Sequence, residues 1–299
     1  MSFQSSTITT AAAFLLLIPG CSPWGKPEIR QETNRLLARS GEPASGGGRT
    51  IAPKRNALKT AIISRPSKDP VINEKLWASA DEQFLGPELQ RVLHANGLRI
   101  GVISGSLPVE TEAAMNEPPP NRVDPVHIEL PDGDPAQVRL VSSSEPITLL
   151  LTRDGRTFGK DYADAVGIIR VSAVQDGAGA LTLKITPEIH HGPVKKEFAA
   201  APTSGTIAPQ EFILKTGQQE EHFRDLTASV LVKPGQVVLI GGRPESGRDI
   251  GAFLFTEAES NSDRVKQKVL LVWANPNGAF TISTSAPKEL PSAAGSSGR

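Results

Sequence analysis

Hydrophobic and polar residues alternate along short segments of the chain from about residue 126 onward. The segments are separated by turn signals such as Pro131-Asp132-Gly133 and Asp154-Gly155, which supply the positive φ that tight turns require. The pattern predicts strands at residues 126–130, 147–152, 166–174, 181–185, 212–214, 228–232 and 237–241. The last two face each other across Pro234-Gly235, so we expect them to form a hairpin. Residues 126–276 are therefore predicted to form a mainly antiparallel all-β domain.

A smaller unit with a mixed pattern precedes this domain, at residues 57–109. Its elements would be a strand at 58–63, a helix carrying Leu76, Ala80 and Phe84 at four-residue intervals, a helix from Pro87 to the cap Asn96-Gly97, and a strand at 98–103. We expect Trp77 to pack between helix and sheet. The predicted fold class is therefore α+β, a small β-α-α-β N-terminal unit followed by the β-rich domain.

The first residues contain an apolar run, 11–18, that is too short to span a bilayer as a helix. It leads into Leu17-Ile18-Pro19-Gly20-Cys21, where a small residue precedes the single cysteine of the chain. This segment resembles the lipobox of bacterial lipoproteins. The resemblance implies that residues 1–21 form a signal peptide and that the thiol of Cys21 accepts a diacylglycerol. The alternative is a buried free cysteine, but the residues around Cys21 show no core pattern.

Three further segments lack the period of a helix or a strand. Residues 22–56 are rich in Ser, Gly, Pro and charge, which predicts a flexible tether. Residues 110–125 contain Pro118-Pro119-Pro120, and consecutive prolines favour a stiff, extended linker. Residues 277–299 end in Ser, Ala, Gly and Pro with little to bury, so we expect a disordered tail.

Composition restricts the classes of partner. The chain has 32 Lys+Arg and 32 Asp+Glu residues, so it offers no excess positive charge to neutralise a phosphate backbone. Nucleic acid is therefore not an expected partner. Aromatic residues make up only 5% of the chain while Gly and Pro number 27 and 25, a composition that suits short strands joined by many turns.

Several segments between residues 180 and 274 form a combination of motifs. Residues 180–189 are an alternating strand, 228–242 contain a Gly-Gln turn followed by an apolar strand that ends in two glycines, and 250–255 and 269–272 are short apolar segments. Together they resemble, in the same order, the secretin domain of type II and type III secretion systems. The residues that carry the motifs are Pro234, Gly235, Gln236, Gly241, Gly242, Gly251, Leu254 and Phe255.

The resemblance implies a β-scaffold with a structural role. Paired glycines such as Gly241-Gly242 at a strand end allow another backbone to approach closely or a sheet to bend. This sequence has Arg243 where the family continues with an apolar residue, and Arg248-Asp249-Ile250 where the family has a Pro-Leu-Leu element. We therefore expect the scaffold of the domain without its channel.

No motif for catalysis or metal binding is evident. Residues 101–105, Gly-Val-Ile-Ser-Gly, do not have the Gly-x-Ser-x-Gly spacing of a nucleophile elbow. His190 and His191 are adjacent on a predicted strand, so their side chains point to opposite faces and are not placed to share one ion. We expect them to be an exposed pair near a turn. The sequence therefore predicts no catalytic residue, no metal and no cofactor.

Three functions remain open. The first is a lipid-anchored protein on a periplasm-facing membrane surface of the bacterial envelope, with a structural or assembly role linked to protein secretion. Its partners would be the bilayer, through the acyl chains on Cys21, and further copies of itself or envelope secretion components, through exposed β edges. The second is a monomeric ligand-binding or adhesion lipoprotein. The third, a cryptic envelope hydrolase, requires a cleft that joins residues distant in sequence, such as Asp161, Glu188 and His190.

Overall fold

The computed structural model describes residues 54–119, 121–176, 180–200, 212–245, 247–258 and 265–276. All of them belong to one compact unit, which begins at Ala52. The described residues form strands β1 (Arg55–Pro66), β2 (Leu98–Ser104), β3 (Val126–Pro131), β4 (Pro135–Ser143), β5 (Ile147–Arg153), β6 (Arg156–Tyr162), β7 (Ala165–Gln175), β8 (Leu181–Ala200), β9 (Phe212–His222), β10 (Ala228–Val232), β11 (Gln236–Gly242), β12 (Thr256–Ala258) and β13 (Val265–Pro276). The α-helices are α1 (Pro87–Ala95), α2 (Val109–Met115) and α3 (Ile250–Phe255).

The first sheet has the strand order β2-β11-β13-β1-β3, and β12 adds to β13. Its ladders are antiparallel, and β13 lies at the centre between β11 and β1. Both faces of the central strands are covered, so β11 and residues 269–274 of β13 are continuous apolar runs rather than alternating ones. Along them, Val238, Ile240, Leu270 and Val272 join a larger core, whereas Val237, Leu239, Val269 and Leu271 join a smaller core on the other face.

The second sheet has the order β10-β8-β7-β4, and β9 pairs with the distal half of β8. Its apolar face contributes Ile169, Val171, Leu183 and Ile185 to the larger core, so this core lies between the two sheets. The hairpin of β5 and β6 forms a third sheet, and its Leu149 and Leu151 join the same core. The second and third sheets position the polar residues considered below.

The predicted mainly antiparallel β architecture is confirmed, but the separate β-α-α-β unit at residues 57–109 is not clearly shown. Its two strands do not pair with each other in the described part of the chain, because β1 pairs with β13 and β3 and β2 pairs with β11. Its first helix is also shorter than predicted. It consists of a π-helical turn at Val71–Leu76 and a 3-10 turn that ends at Ser79, and Phe84 lies outside both turns.

Other predicted elements of this region agree better with the structure. Helix α1 begins at Pro87, and Gly97 after its end has a φ of +73°. Trp77 is buried between the short helical turns and the first sheet, where its ring lies 3.9 Å below the guanidinium of Arg99. Helix α2 occupies the first part of the predicted linker at 110–125.

The predicted hairpin of residues 228–232 with 237–241 is wrong. Strand β10 pairs with β8 in the second sheet, whereas β11 pairs with β13 and β2 in the first. The turn itself is present, since Gly235 has a φ of +83° and the amide of Gln236 donates to the carbonyl of Lys233 at 3.1 Å. A turn fixes only the local direction of the chain. This one carries the chain from one sheet to the other.

Within the described ranges, no helix has the length and apolar character needed to cross a membrane. Cys21 and the predicted segments 1–21 and 277–299 lie outside the described residues, as does nearly all of the predicted tether 22–56.

Candidate functional site

A buried carboxylate, Glu188, organises the polar face of the second sheet. Its side chain on β8 is fully buried, and it accepts hydrogen bonds from Nε of Arg170 on β7 and Nδ1 of His222 on β9. Nε2 of His190 lies 3.4 Å from its other oxygen. Glu220 completes the group, with its carboxylate 3.5 Å from Arg170 and 3.6 Å from Nε2 of His222. We call these five residues the Glu188 cluster.

The strand registers explain why these side chains meet. Glu188 and His190 are two residues apart on β8 and therefore share a face. On β9, His222 stands opposite Glu188 and Glu220 stands opposite His190. Arg170 on β7 stands opposite Thr186 of β8 and reaches Glu188 diagonally. The cluster thus connects three strands with charged hydrogen bonds on one face of the sheet.

Opposing effects set the ionisation of Glu188. Burial alone would raise the pKa of this carboxyl group, because a charge is poorly solvated away from water. The hydrogen bonds and positive charges of Arg170 and His222 outweigh burial, and the pKa of Glu188 is lowered below its ordinary value. Glu188 is therefore an anion at neutral pH. Its oxygens are engaged by neighbouring side chains, so the arrangement holds strands together.

The opposite face of β8 carries His191, which packs edge-on against Tyr162 with ring centroids 5.1 Å apart. Burial lowers the pKa of His191, although the nearby carboxylate of Glu221 acts in the opposite direction. The pKa of Tyr162 is raised, mainly by burial and also by the negative charge of Glu221. Glu221 in turn accepts a hydrogen bond of 2.6 Å from Nζ of Lys160 on β6. His190 and His191 thus point to opposite faces, as predicted, but each side chain is only 15% exposed, so the expectation of an exposed pair is wrong.

The three residues considered for a hydrolase are only partly brought together. Glu188 and His190 are neighbours, whereas Asp161 on β6 accepts a hydrogen bond of 2.6 Å from the hydroxyl of Thr148. Among the described residues, no group of three or more His, Cys, Asp or Glu side chains is arranged to hold a metal ion. Sequence reasoning missed Arg170, Glu220 and His222. The alternation of Glu220 and His222 at the end of β9 indicates that these two side chains share one face of a strand. No pattern in the sequence connects them, or Arg170, with Glu188.

The turn residues of the secretin-like motif connect the two sheets. Pro234 and Gly235 occupy the turn after β10, and the side-chain oxygen of Gln236 accepts from the amide of Lys233 at 2.8 Å. The amide nitrogen of the Gln236 side chain donates to the hydroxyl of Ser104 at 2.8 Å. Gln236 therefore ties the turn to the neighbouring strand β2.

The motif glycines lie where chain segments approach closely. A methyl group on Gly241 would stand 2.8 Å from the Trp77 ring, and one on Gly242 would stand 3.1 Å from the carbonyl oxygen of Gly251. A methyl group on Gly251 itself would overlap the carbonyl group of Gly97. Helix α3 then buries Leu254 and Phe255 in the larger core. These motif residues thus position α3 against the ends of α1 and β11.

The outer edge of β5 is covered by other parts of the chain. The amide of Leu150 donates to the carbonyl of Arg248 at 2.7 Å. The Asn96 side chain accepts from the amide of Thr152 and donates to its carbonyl, both at 2.8 Å, much as a neighbouring strand would. Sequence reasoning assigned Asn96 only to a helix cap. Its second role was not visible, because Thr152 is 56 residues away.

The outer edge of β6 is open. In the register of this hairpin, Leu150 and Thr152 stand opposite Gly159 and Thr157. In an antiparallel pair, two residues that stand opposite each other direct their main-chain N–H and C=O groups either both toward each other or both away. Leu150 and Thr152 direct these groups away from β6, so Gly159 and Thr157 direct theirs away from β5. The same alternation applies to Asp161. Within the part of the chain that the structure describes, no residue bonds to these outward groups of Thr157, Gly159 and Asp161, which we call the β6 edge.

A crevice between the β5–β6 hairpin and the segment after β9 lies behind this edge. It has a volume of about 140 Å³. Ion pairs from Lys160 to Glu221 at 2.6 Å and from Arg153 to Asp225 at 2.5 Å flank it. Its apolar lining comes from Leu151, Phe158, Phe223 and Leu226. Phe158 is 45% exposed, so an apolar ring lies at the surface directly beside the β6 edge.

No protein-family model matches the chain, and no curated protein matches it. Among solved structures, it is similar to the secretin domain β-barrel of InvG from the Salmonella SPI-1 injectisome, with 13% identity over 87% of this chain and 71% of that one, at a TM-score of 0.23. It is also similar to PilQ, the type IV competence pilus secretin of V. cholerae, with 10% identity over 84% and 65% and a TM-score of 0.22. A third similar structure is the Klebsiella pneumoniae type II secretion system outer membrane complex of PulD, PulS and the PulC HR domain, with 14% identity, 84% and 43% coverage and a TM-score of 0.22.

Proposed function

We propose that this chain is a membrane-anchored lipoprotein of the bacterial envelope, with a secretin-like β-scaffold and a structural or assembly role linked to protein secretion. The observation that carries the proposal is the open β6 edge. In the Glu188 cluster, by contrast, the charged groups are paired with one another. The Glu188 cluster holds strands together, whereas the β6 edge exposes main-chain groups that an added strand would satisfy.

Two features of the sequence support the other parts of the proposal. The segment ending in Cys21 has the pattern of a lipobox, which would place the folded part at a membrane surface. The motif residues from Pro234 to Phe255 give the secretin-like character, and in the structure they position α3 and connect the two sheets. A scaffold of this kind needs no catalytic residue.

Substitution of Cys21 by Ser tests the anchor. We expect the wild-type chain to fractionate with membranes and to be extracted by mild detergent, and we expect Cys21→Ser to move to the soluble fraction. Ser2→Ala, in the same N-terminal segment, is a matched control that should leave fractionation unchanged. A wild-type chain that is already soluble, or a Cys21→Ser variant that stays in the membrane, would contradict the anchor.

The size of the detergent-extracted protein tests the assembly role. A multimer or a complex with envelope proteins is the expected result, whereas a monomer would favour the second candidate, a ligand-binding lipoprotein. One observation favours that candidate: an open groove of about 920 Å³ between β4, β5 and α3 combines apolar side chains with charged ones. Its apolar lining includes Leu140, Val141, Ile147, Leu149 and Phe253, and its charged lining includes Arg139, Arg248, Asp249 and Lys268.

A further inference from the structure

We propose that two copies of this chain pair through their β6 edges, as antiparallel strands related by a two-fold axis at Gly159. The proposal deepens the assembly role given above by naming its contact and its partner, and it rests on that role. The β6 edge directs the main-chain groups of Thr157, Gly159 and Asp161 outward. A second β6 strand in opposite direction would satisfy them with about six hydrogen bonds, two for each facing pair.

The sequence of β6 is self-complementary about Gly159. With the axis at this residue, Thr157 of one copy faces Asp161 of the other, a hydroxyl opposite a carboxylate. Phe158 faces Lys160 of the other copy, and an ammonium group beside an aromatic face is an attractive pair. Both side chains are at the surface, since Phe158 is 45% exposed and the side chain of Lys160 is 41% exposed. Gly159 adds no side chain at the axis.

Other registers of the same pairing are less favourable. An axis at Asp161 would place two carboxylates directly opposite each other, which is repulsive. An axis at Thr157 would run into the tight turn at Asp154-Gly155, where φ is +51° and +73°, and would leave the far end of β6 unpaired. The axis at Gly159 lets Arg156–Tyr162 pair along its whole length. It is therefore the register that the structure favours.

Strand addition alone buries less surface than the roughly 1,200–2,000 Å² of a typical stable interface. The free chain should therefore form a weak dimer in solution. Tethering through Cys21 would confine the copies to one surface and raise their effective concentration. We expect the lipidated chain in a membrane to be more fully paired than Cys21→Ser at the same amount of protein.

Replacement of Gly159 by Pro tests the contact. The amide of Gly159 points to the outer edge, so proline removes an outward donor while the ladder with β5 keeps its own hydrogen bonds. Sedimentation of full-length Cys21→Ser over a concentration series should show a monomer–dimer equilibrium, and Gly159→Pro should weaken it at least about ten-fold. Circular dichroism of the variant checks that the fold is retained, and Gly217→Ala on β9 is a control that should not change the dimer.

Disulfide trapping gives a second measurement that does not depend on the proline variant. In the proposed pairing the two Gly159 residues face each other as a hydrogen-bonded pair, for which the Cα atoms are about 5.5 Å apart, a distance that a disulfide spans. A side chain fits at this position, because a Cβ added to Gly159 would have its nearest neighbour 3.6 Å away on Thr148. In the Cys21→Ser background, Gly159→Cys should form a disulfide-linked dimer much faster than Leu231→Cys, a control on β10 where Leu231 is 54% exposed.

The outcomes separate this proposal from the assembly role. Loss of the dimer in Gly159→Pro together with fast trapping of Gly159→Cys supports pairing through the β6 edge. A chain that stays monomeric throughout the series, or equal trapping at positions 159 and 231, overturns it. A larger multimer that Gly159→Pro leaves intact also overturns the β6 contact, but it leaves the assembly role standing.

Discussion

Replacing Gly251 by Ala should lower the free energy of unfolding, although alanine is the better helix-forming residue. Alanine normally stabilises a helix by about 1 kcal/mol relative to glycine. Here the added methyl group would overlap the carbonyl group of Gly97, and both groups belong to the backbone, so no change of rotamer relieves the contact. Helix α3 would have to move away from the end of α1.

The structure indicates what that movement costs. Overpacking of this kind costs about 3 kcal/mol. The displacement also weakens the 2.9 Å hydrogen bond from the Gly251 amide to the Asn96 carbonyl, which contributes about 1 kcal/mol. After the helix-forming gain of alanine is allowed for, we expect a net loss of about 3 kcal/mol in the free energy of unfolding, a large part of the roughly 5–15 kcal/mol typical of a domain.

Urea unfolding followed by tryptophan fluorescence measures this loss, with Trp77 as a buried reporter. The matched control is Gly217→Ala on β9, where nothing lies within 4 Å of an added methyl group and the variant should stay within about 0.5 kcal/mol of the wild type. An unfolding free energy of Gly251→Ala that matches this control would refute the close approach of α3 to Gly97.

Two further predictions concern the polar network of the fold. Glu188→Gln leaves Arg170 and His222 without their anion, and should lower the free energy of unfolding at pH 7 by about 2 kcal/mol, a value discounted because both partners are partly exposed. The pKa of Glu188 is lowered, so its stabilisation is fully present above its ordinary pKa of 4.5 and is lost as the pH falls through its lowered pKa in the folded state. The difference in unfolding free energy between wild type and variant should therefore shrink as the pH falls below 4.5, and a constant difference would contradict the assignment. Asn96→Ala should cost about 2–3 kcal/mol in the same assay, because it uncovers both main-chain groups of Thr152, whereas Asn116→Ala, which loses an exposed bond to the helix carbonyl of Glu112, should cost under about 1 kcal/mol.

Elements specified by short-range patterns were predictable from the sequence. Helix α1 was found because Pro87 and Gly97 mark its two ends, and β7 was found because its apolar run is bounded by turn residues. Strand β8 was predicted only as far as His191, although it continues to Ala200. Its second half is polar and pairs with β9, so its extension depends on a partner rather than on burial.

Pairings between distant segments were not predictable, because the sequence of a strand does not determine which other strand pairs with it. The turn at Pro234-Gly235 was predicted, yet β10 and β11 pair with strands of different sheets. The Glu188 cluster was missed for the same reason. Glu188 and His190 were considered, but Arg170 and His222 reach them only through the register of β7, β8 and β9.

The central position of β13 has a consequence for the order of folding. This strand joins β11 to β1, and its Gln267 side chain donates to the carbonyl of Pro66 across 201 residues of chain. At typical synthesis rates, β1 leaves the ribosome about 10–40 s before this partner is made. The first sheet therefore closes only after β13 has been made. Until β13 is made, the first sheet lacks its central strand. An incomplete fold is the condition in which a polypeptide can still be threaded through a translocation channel.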